Sequence, residues 1–215
     1  MIGNFMIFGD SYSTHKDHIP DGYAFYYCDA GRGENEPVTK MTAEETWWGR
    51  LMARTDATLV LNNSWSGSTV GYTGYQGDCS TSSSFIYRYR QLSKRGFFDG
   101  HPIDTVFVFG GTNDSWSNAP LGEEQYGGWT EEDLFRVRPA LCHFVGTLKK
   151  ELPEARIVVI ANCDIKSEVV ECLEHAASYF GAECVTLHGV DKLAGHPTVL
   201  GMDQICTQIL EQIGE

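Results

Sequence analysis

Residues 4–11 read NFMIFGDS, an apolar run that stops at a glycine, an acid and a hydroxyl. Four consecutive apolar residues at 5–8, with no alternation, predict a strand buried on both faces, as in parallel sheets. The pattern recurs further along the chain. TVFVF at 105–109 runs into GGTND at 110–114, and IVVI occupies 157–160. Shorter runs at 58–61 and 184–187 bring the predicted strands to five. Helical patterns lie between them. Residues 42–54 read as a helix opened by Thr42 and Glu45 as a capping box, and 85–95 reads as another. Leu141, Phe144, Val145 and Leu148 form a core-facing stripe, with Pro139 in the first turn of that helix. Ser167 is the expected N-cap of a helix reaching Phe180, with Gly181 as its stop. Met202, Ile205, Ile209 and Ile213 stripe a closing helix. Strands alternating with helices predict an α/β fold whose parallel sheet is covered on both faces. Ligands of such sheets sit at the carboxyl ends of the strands. That rule singles out three segments: 9–11, 62–69 and 110–114.

The chain has 215 residues, 42% of them hydrophobic and 21% charged, which predicts one soluble domain spanning 1–215. No repeat or linker divides it. Two irregular stretches, 12–42 and 118–128, are long enough to expect function of them. No apolar run approaches the ~20 residues of a membrane span. The first ten residues, MIGNFMIFGD, lack the basic and apolar order of a signal peptide, so a cytoplasmic protein is expected. A net charge of −13 repels phosphate backbones and argues against nucleic acid as a partner. Seven scattered cysteines without a close pair suit reduced thiols better than disulfides or metal ligands.

The three strand-end segments carry what acyl transfer requires. Ser11 follows the first strand, where its hydroxyl can face the crevice and its N–H can meet a developing oxyanion. Gly67, in SGST at 66–69, permits close backbone approach and offers a second N–H. Asn113, in GGTND, brings an amide donor. Three such donors form an oxyanion hole. A serine hydroxyl still needs a base, and His196, in GHP at 195–197, follows the last strand and is placed to reach the same rim. Each signal alone has an ordinary reading as a turn or a loop histidine.

Their order is more specific. GDS, then NNSWSGST, then GGTND, then GHP resembles the four blocks of the SGNH/GDSL hydrolase superfamily, over residues 9–201. The resemblance implies Ser11 as nucleophile, Gly67 and Asn113 as oxyanion donors beside the Ser11 N–H, and His196 as general base. It also implies a flavodoxin-like three-layer α/β/α sandwich with a five-stranded parallel sheet, and no cofactor or metal. YSTHKDHIPDGYAFYY at 12–27, TWWGRL at 46–51 and NNSWSGSTV at 62–70 further resemble a subgroup of these hydrolases found in gut bacteria.

The chain departs from the superfamily at one telling place. An Asp usually stands three residues before the histidine; here that residue is Leu193. Either a backbone carbonyl holds the imidazole, leaving a Ser–His dyad, or Asp191 turns inward to complete a triad. A milder departure is the second block, where many relatives have a glycine beyond Trp65-Ser66-Gly67. Asp10 and Asp114 flank the site and are read as carboxylates that fix its loops. The six remaining histidines have no metal-like spacing. Tyr12, Tyr23, Phe25, Tyr26, Tyr27, Trp65, Trp116 and Trp129 fall in rim segments, and Tyr12, Trp65 and Trp116 are the expected substrate contacts. Aromatic platforms suit sugar rings, so the expected substrate is a small-molecule ester, an acylated sugar for preference. Rival readings are acyl transfer at the same residues, or a binding protein that has lost turnover. An FMN protein is disfavoured, because GDSYSTHKDH at 9–18 offers little phosphate cradle.

Overall fold

Both faces of each central strand are shielded from water by a layer of helices. The computed structural model describes residues 1–34 and 36–215. Its first half contains β1 (Asn4–Gly9), α1 (Trp47–Arg54), β2 (Thr58–Ser64), the short pair β3 (Thr73–Gly74) and β4 (Gly77–Asp78), α2 (Phe85–Lys94) and α3 (Phe97–Gly100). The second half contains β5 (Thr105–Phe109), α4 (Thr112–Trp116), α5 (Val137–Glu151), β6 (Arg156–Ala161), α6 (Ser167–Phe180) and β7 (Glu183–Thr186). It closes with a second short pair, β8 (Lys192–Leu193) and β9 (His196–Pro197), and then α7 (Val199–Ile213).

The five long strands pair in parallel in the order β2-β1-β5-β6-β7. Alternate side chains go to opposite layers. Met6, Phe8, Val106 and Val108 pack with α2, α5 and α6, while Phe5, Ile7, Phe107 and Phe109 pack against Trp47, Trp48 and the apolar stripe of α7. This is the expected α/β/α sandwich. Strand order reverses at β1, and the register sets Gly9 beside Ser64 on one side and Phe109 on the other. The segments that follow these three strands therefore open at one edge.

Several boundaries differ from the sequence reading, for physical reasons. β2 runs past Leu61 through Asn62, Asn63 and Ser64, whose buried side chains are held by internal hydrogen bonds. The Asn62 amide donates to Ser13 O at 2.8 Å, and Ser64 donates to Asn62 Oδ1 at 2.5 Å. Glu45 does accept the Thr42 N–H at 2.9 Å, but this closes a 3-10 turn; the α-helix starts only after Thr46, whose hydroxyl accepts the Gly49 N–H. Ser167 is the first helical residue of α6 rather than its cap, and Gly181 ends the helix at φ +69° as expected. The GGTND segment turns into α4 instead of remaining a loop.

The β8–β9 hairpin carries His196. Its two turn residues, Ala194 and Gly195, have φ of +51° and +79°, the sign pattern of the tight turn that matches strand twist. Two tyrosines from the long first loop pin it: Tyr12 donates to Gly195 O at 2.5 Å and Tyr27 to Pro197 O at 2.9 Å. From the other side α7 presses on it at Gly201, where a Cβ would lie 2.1 Å from Asp191 O. In an exposed helix, Gly→Ala gains up to about 1 kcal/mol. Here Gly201→Ala is expected to destabilise by about 1–3 kcal/mol through overpacking. Thermal melts of the two proteins check the sign; a higher melting temperature for the alanine variant would contradict this packing.

Candidate active site

Ser11 lies two residues beyond β1, in the turn that closes when the Ser13 N–H donates to Asp10 O at 3.1 Å. Its Oγ is 3.0 Å from His196 Nε2. For Nε2 to accept the serine proton, the ring proton must sit on Nδ1. That atom faces Ala194 O at 3.3 Å. Of the two readings left open by Leu193, the backbone carbonyl is therefore the one formed. Asp191 does not turn inward: its carboxylate accepts the Thr198 hydroxyl and its N–H donates to Gln204 at 2.7 Å. Leu193 is paired directly opposite His196 and is half exposed. Burial pushes the His196 pKa below the ordinary histidine value, and the Arg32 and Lys192 cations push the same way against the Ala194 bond. The imidazole is thus neutral, and able to take a proton, at neutral pH.

Hydrogen-bond donors gather around Ser11. Among the described residues, neither the Ser11 N–H nor the Gly67 N–H meets a protein acceptor. Asn113 is buried and its amide is fixed at both ends. Its Nδ2 donates to Ser68 O at 2.9 Å, and its Oδ1 accepts from Tyr75 at 3.0 Å. One Nδ2 hydrogen remains unused. Tyr75, on the turn between β3 and β4, was not singled out in the sequence.

Buried charge holds these loops in place. Both Asp114 oxygens accept the Val70 N–H and one also accepts that of Gly71, all within 3.2 Å, which fixes the segment after Gly67. Asp10 Oδ1 accepts the Tyr12 N–H at 3.0 Å. Loss of water pushes the Asp10 pKa up to about 7 and that of Asp114 to about 6. Arg88, which the sequence reading passed over, lies beneath the serine. It donates to Asn63 O and, at 3.0 Å, to Asn63 Oδ1. It also reaches Gly9 O at 3.2 Å, Ser68 Oγ at 3.1 Å and Ser83 O at 2.9 Å. Burial lowers its pKa to about 9.

The aromatic residues divide sharply. Tyr12 and Tyr27 are fully buried supports of the histidine hairpin, so Tyr12 is not a rim contact. Trp129 is remote, packed on His143 and Phe180. Trp65 packs against Tyr23, ring centroids 4.4 Å apart with planes tilted by 37°, and borders a hollow of about 450 Å³ that also touches Gly67 and Tyr75. Trp116 is partly exposed, with its ring 6.4 Å from that of His196. Tyr26 lies flat on His196, with ring centroids 3.6 Å apart and planes within 9°.

Comparison with known proteins gives the family and the fold. A family model for GDSL-like lipases/acylhydrolases matches residues 3–213. The chain belongs to that family. This GDSL-like hydrolase superimposes on two solved structures described as GDSL-like lipases. One, from Bacteroides uniformis ATCC 8492, is 40% identical with a TM-score of 0.89, over 99% of this chain and 95% of that one. The other, from Bacteroides ovatus ATCC 8483, is 35% identical with a TM-score of 0.89, over 100% and 99%. A family two carbohydrate esterase from Cellvibrio japonicus shares the fold at 18% identity and a TM-score of 0.63, over 99% of this chain and 62% of that one. No curated protein matches by sequence. The enzyme is thus a hydrolase of the esterase kind.

The buried carboxyls of this hydrolase give its stability a pH dependence. Asp10 titrates near 7 in the fold and near about 4 when unfolded. Between those values the native state holds a proton that the unfolded chain has released, so stability falls as pH rises through that window. The melting temperature is expected to drop between about pH 4 and 7, and Asp10→Asn to make the drop shallower. Parallel slopes for the two proteins would show that Asp10 does not carry the effect.

Proposed function

We propose that this hydrolase is a serine esterase that removes small acyl groups, such as acetyl, from polyhydroxylated alcohols of the carbohydrate kind. The observation that carries the reading is the 3.0 Å contact of Ser11 Oγ with a half-buried, neutral His196 beside unused N–H donors. His196 Nε2 takes the Ser11 proton as Oγ attacks the ester carbonyl. The Ser11 N–H, the Gly67 N–H and the free Asn113 hydrogen receive the oxyanion. The imidazolium then gives its proton to the leaving alcohol, and water repeats the sequence on the acyl-enzyme. Tyr75 and Ser68 keep the Asn113 amide from flipping, so its nitrogen is always the atom presented.

The substrate class rests on the hollow beside Gly67. Its lining is small and polar (Ser66, Thr69, Gln76, Ser83) with Trp65 and Tyr75 as ring-sized faces. Hydroxyls and an aromatic platform suit a sugar better than a long acyl chain, which would need an apolar channel.

Hydrolysis of p-nitrophenyl acetate by the wild type and Ser11→Ala, followed by acetylated sugars, tests the reading. Ser11→Ala is expected to abolish turnover. Asn113→Ala is expected to lose about 10²–10³ in kcat. Asp191→Asn should lose less than about tenfold in kcat/KM, since its carboxylate serves Thr198, whereas a triad aspartate would lose ~10⁴. Equal hydrolysis by Ser11→Ala and the wild type would sink the proposal.

A further inference from the structure

Among the described residues His196 has no carboxylate partner, yet it must bear a positive charge in every cycle of the mechanism above. Its Nδ1 bond to Ala194 O is long, 3.3 Å, and neutral. Position 193, directly opposite His196 across the β8–β9 pair, would bring a carboxylate within reach but holds leucine. Asp191 is committed to Thr198. Among the described residues, the charges that bear most on the ring are cations, Arg32 and Lys192. Lys192 is itself drawn away to Asp164 Oδ2 at 3.1 Å, Asn162 Oδ1 at 3.2 Å and Cys163 O at 3.0 Å. The remaining neighbours are rings. Tyr12 approaches at 5.5 Å with a tilted plane, Trp116 at 6.4 Å edge-on, and Tyr26 covers one whole face.

We propose that Tyr26 does the work of the absent carboxylate: its ring fixes the plane of the imidazole and its π face stabilises the imidazolium formed when Ser11 is deprotonated. The electron-rich face of a phenol ring attracts a cation stacked on it, most strongly where water is excluded. The Tyr26–His196 pair, at 3.6 Å and 9°, is in full parallel contact. Tyr26 is also firmly mounted. Its N–H donates to Thr14 Oγ1 at 2.9 Å, and its ring meets Tyr27 edge-on at 4.9 Å. Tyr27 in turn bonds Pro197 O in the histidine hairpin, so stack and hairpin form one unit. During attack the Ser11 Oγ–H bond breaks, its proton goes to Nε2 and the Oγ pair forms the bond to carbon. The positive charge stays on the ring until the leaving alcohol takes that proton. Tyr26 acts through His196 and is a positioning residue.

The inference rests on the Ser11–His196 reading, and the test separates the two. Wild type, Ser11→Ala, Tyr26→Phe, Tyr26→Leu and Tyr26→Leu/Leu193→Asp are compared by kcat and KM for p-nitrophenyl acetate across pH. The His196 ring is titrated by NMR in each. Tyr26→Phe keeps the face and is expected to stay within about twofold of wild type. Tyr26→Leu keeps water out but offers no π face. It is expected to lose about three- to thirtyfold in kcat with KM little changed, and its His196 titration moves to lower pH. Leu193→Asp in that background restores most of the loss by returning a carboxylate opposite the ring. Should the leucine variant fail to fold, Tyr26→Met is read by the same titration. Wild-type kcat and titration in Tyr26→Leu would overturn the assignment, as would equal damage in Tyr26→Phe and Tyr26→Leu. Activity surviving in Ser11→Ala would instead reject the serine esterase reading itself.

Discussion

Arg88 is a full positive charge set among neutral oxygens, and the shape of the active edge depends on it. A guanidinium removed from water must have its donors satisfied, or the cost is several kcal/mol. Here the acceptors are Gly9 O at the end of β1, Asn63 at the end of β2, Ser68 beside Gly67, and Ser83 just before α2. One side chain thus ties the turn of the serine to the loop that presents the second N–H. Asp10 lies close enough to favour the charged guanidinium. The arrangement places positive potential under the spot where negative charge would develop, and among the described residues no carboxylate is bonded to cancel it.

The other half of the site is held differently. The Ser11 side is fixed by buried ions and strand ends, whereas the His196 side is a short hairpin laid against the sheet. Phenol hydroxyls from Tyr12 and Tyr27 grip its carbonyls, and Gly201 lets α7 come close enough to support it from behind. Both tyrosines come from residues 12–42, so the long first loop is part of the catalytic frame rather than a cover over it.

What could be read beforehand follows from how local each signal is. The strands β1, β5 and β6 are uninterrupted apolar runs and were plain in the sequence, as was the meeting of the GDS, GGTND and GHP segments at one edge. The polar end of β2 was not, because Asn62 and Asn63 are paired by Ser13 and Arg88, residues distant in the chain. Arg88 itself lies on the stripe Phe85, Arg88, Tyr89, whose spacing places it on the core side of α2. A charge on such a stripe was the available sign. Tyr26 was marked as one aromatic of a rim group, but nothing in the sequence distinguishes a ring stacked on His196 from a neighbour such as Tyr27 that is buried beneath it. The short β3–β4 pair, and with it the role of Tyr75, has too few residues to announce itself.

The turn at Ala194 and Gly195 has a bearing on how such a site can change over time. Because the acceptor at Nδ1 is a main-chain carbonyl, the tautomer of the base is written in backbone dihedrals rather than in any one side chain. Replacement of Ala194 by asparagine or glycine, residues that favour its positive φ, would leave that carbonyl where it is. The acceptor's own side chain takes no part in the contact, so a missense change at position 194 leaves it in place as long as the new residue tolerates the positive φ. Drift can rewrite the side chains of this hairpin within that limit, and changes that alter the turn itself, a proline at 194, an insertion or a deletion, would take the proton's address away.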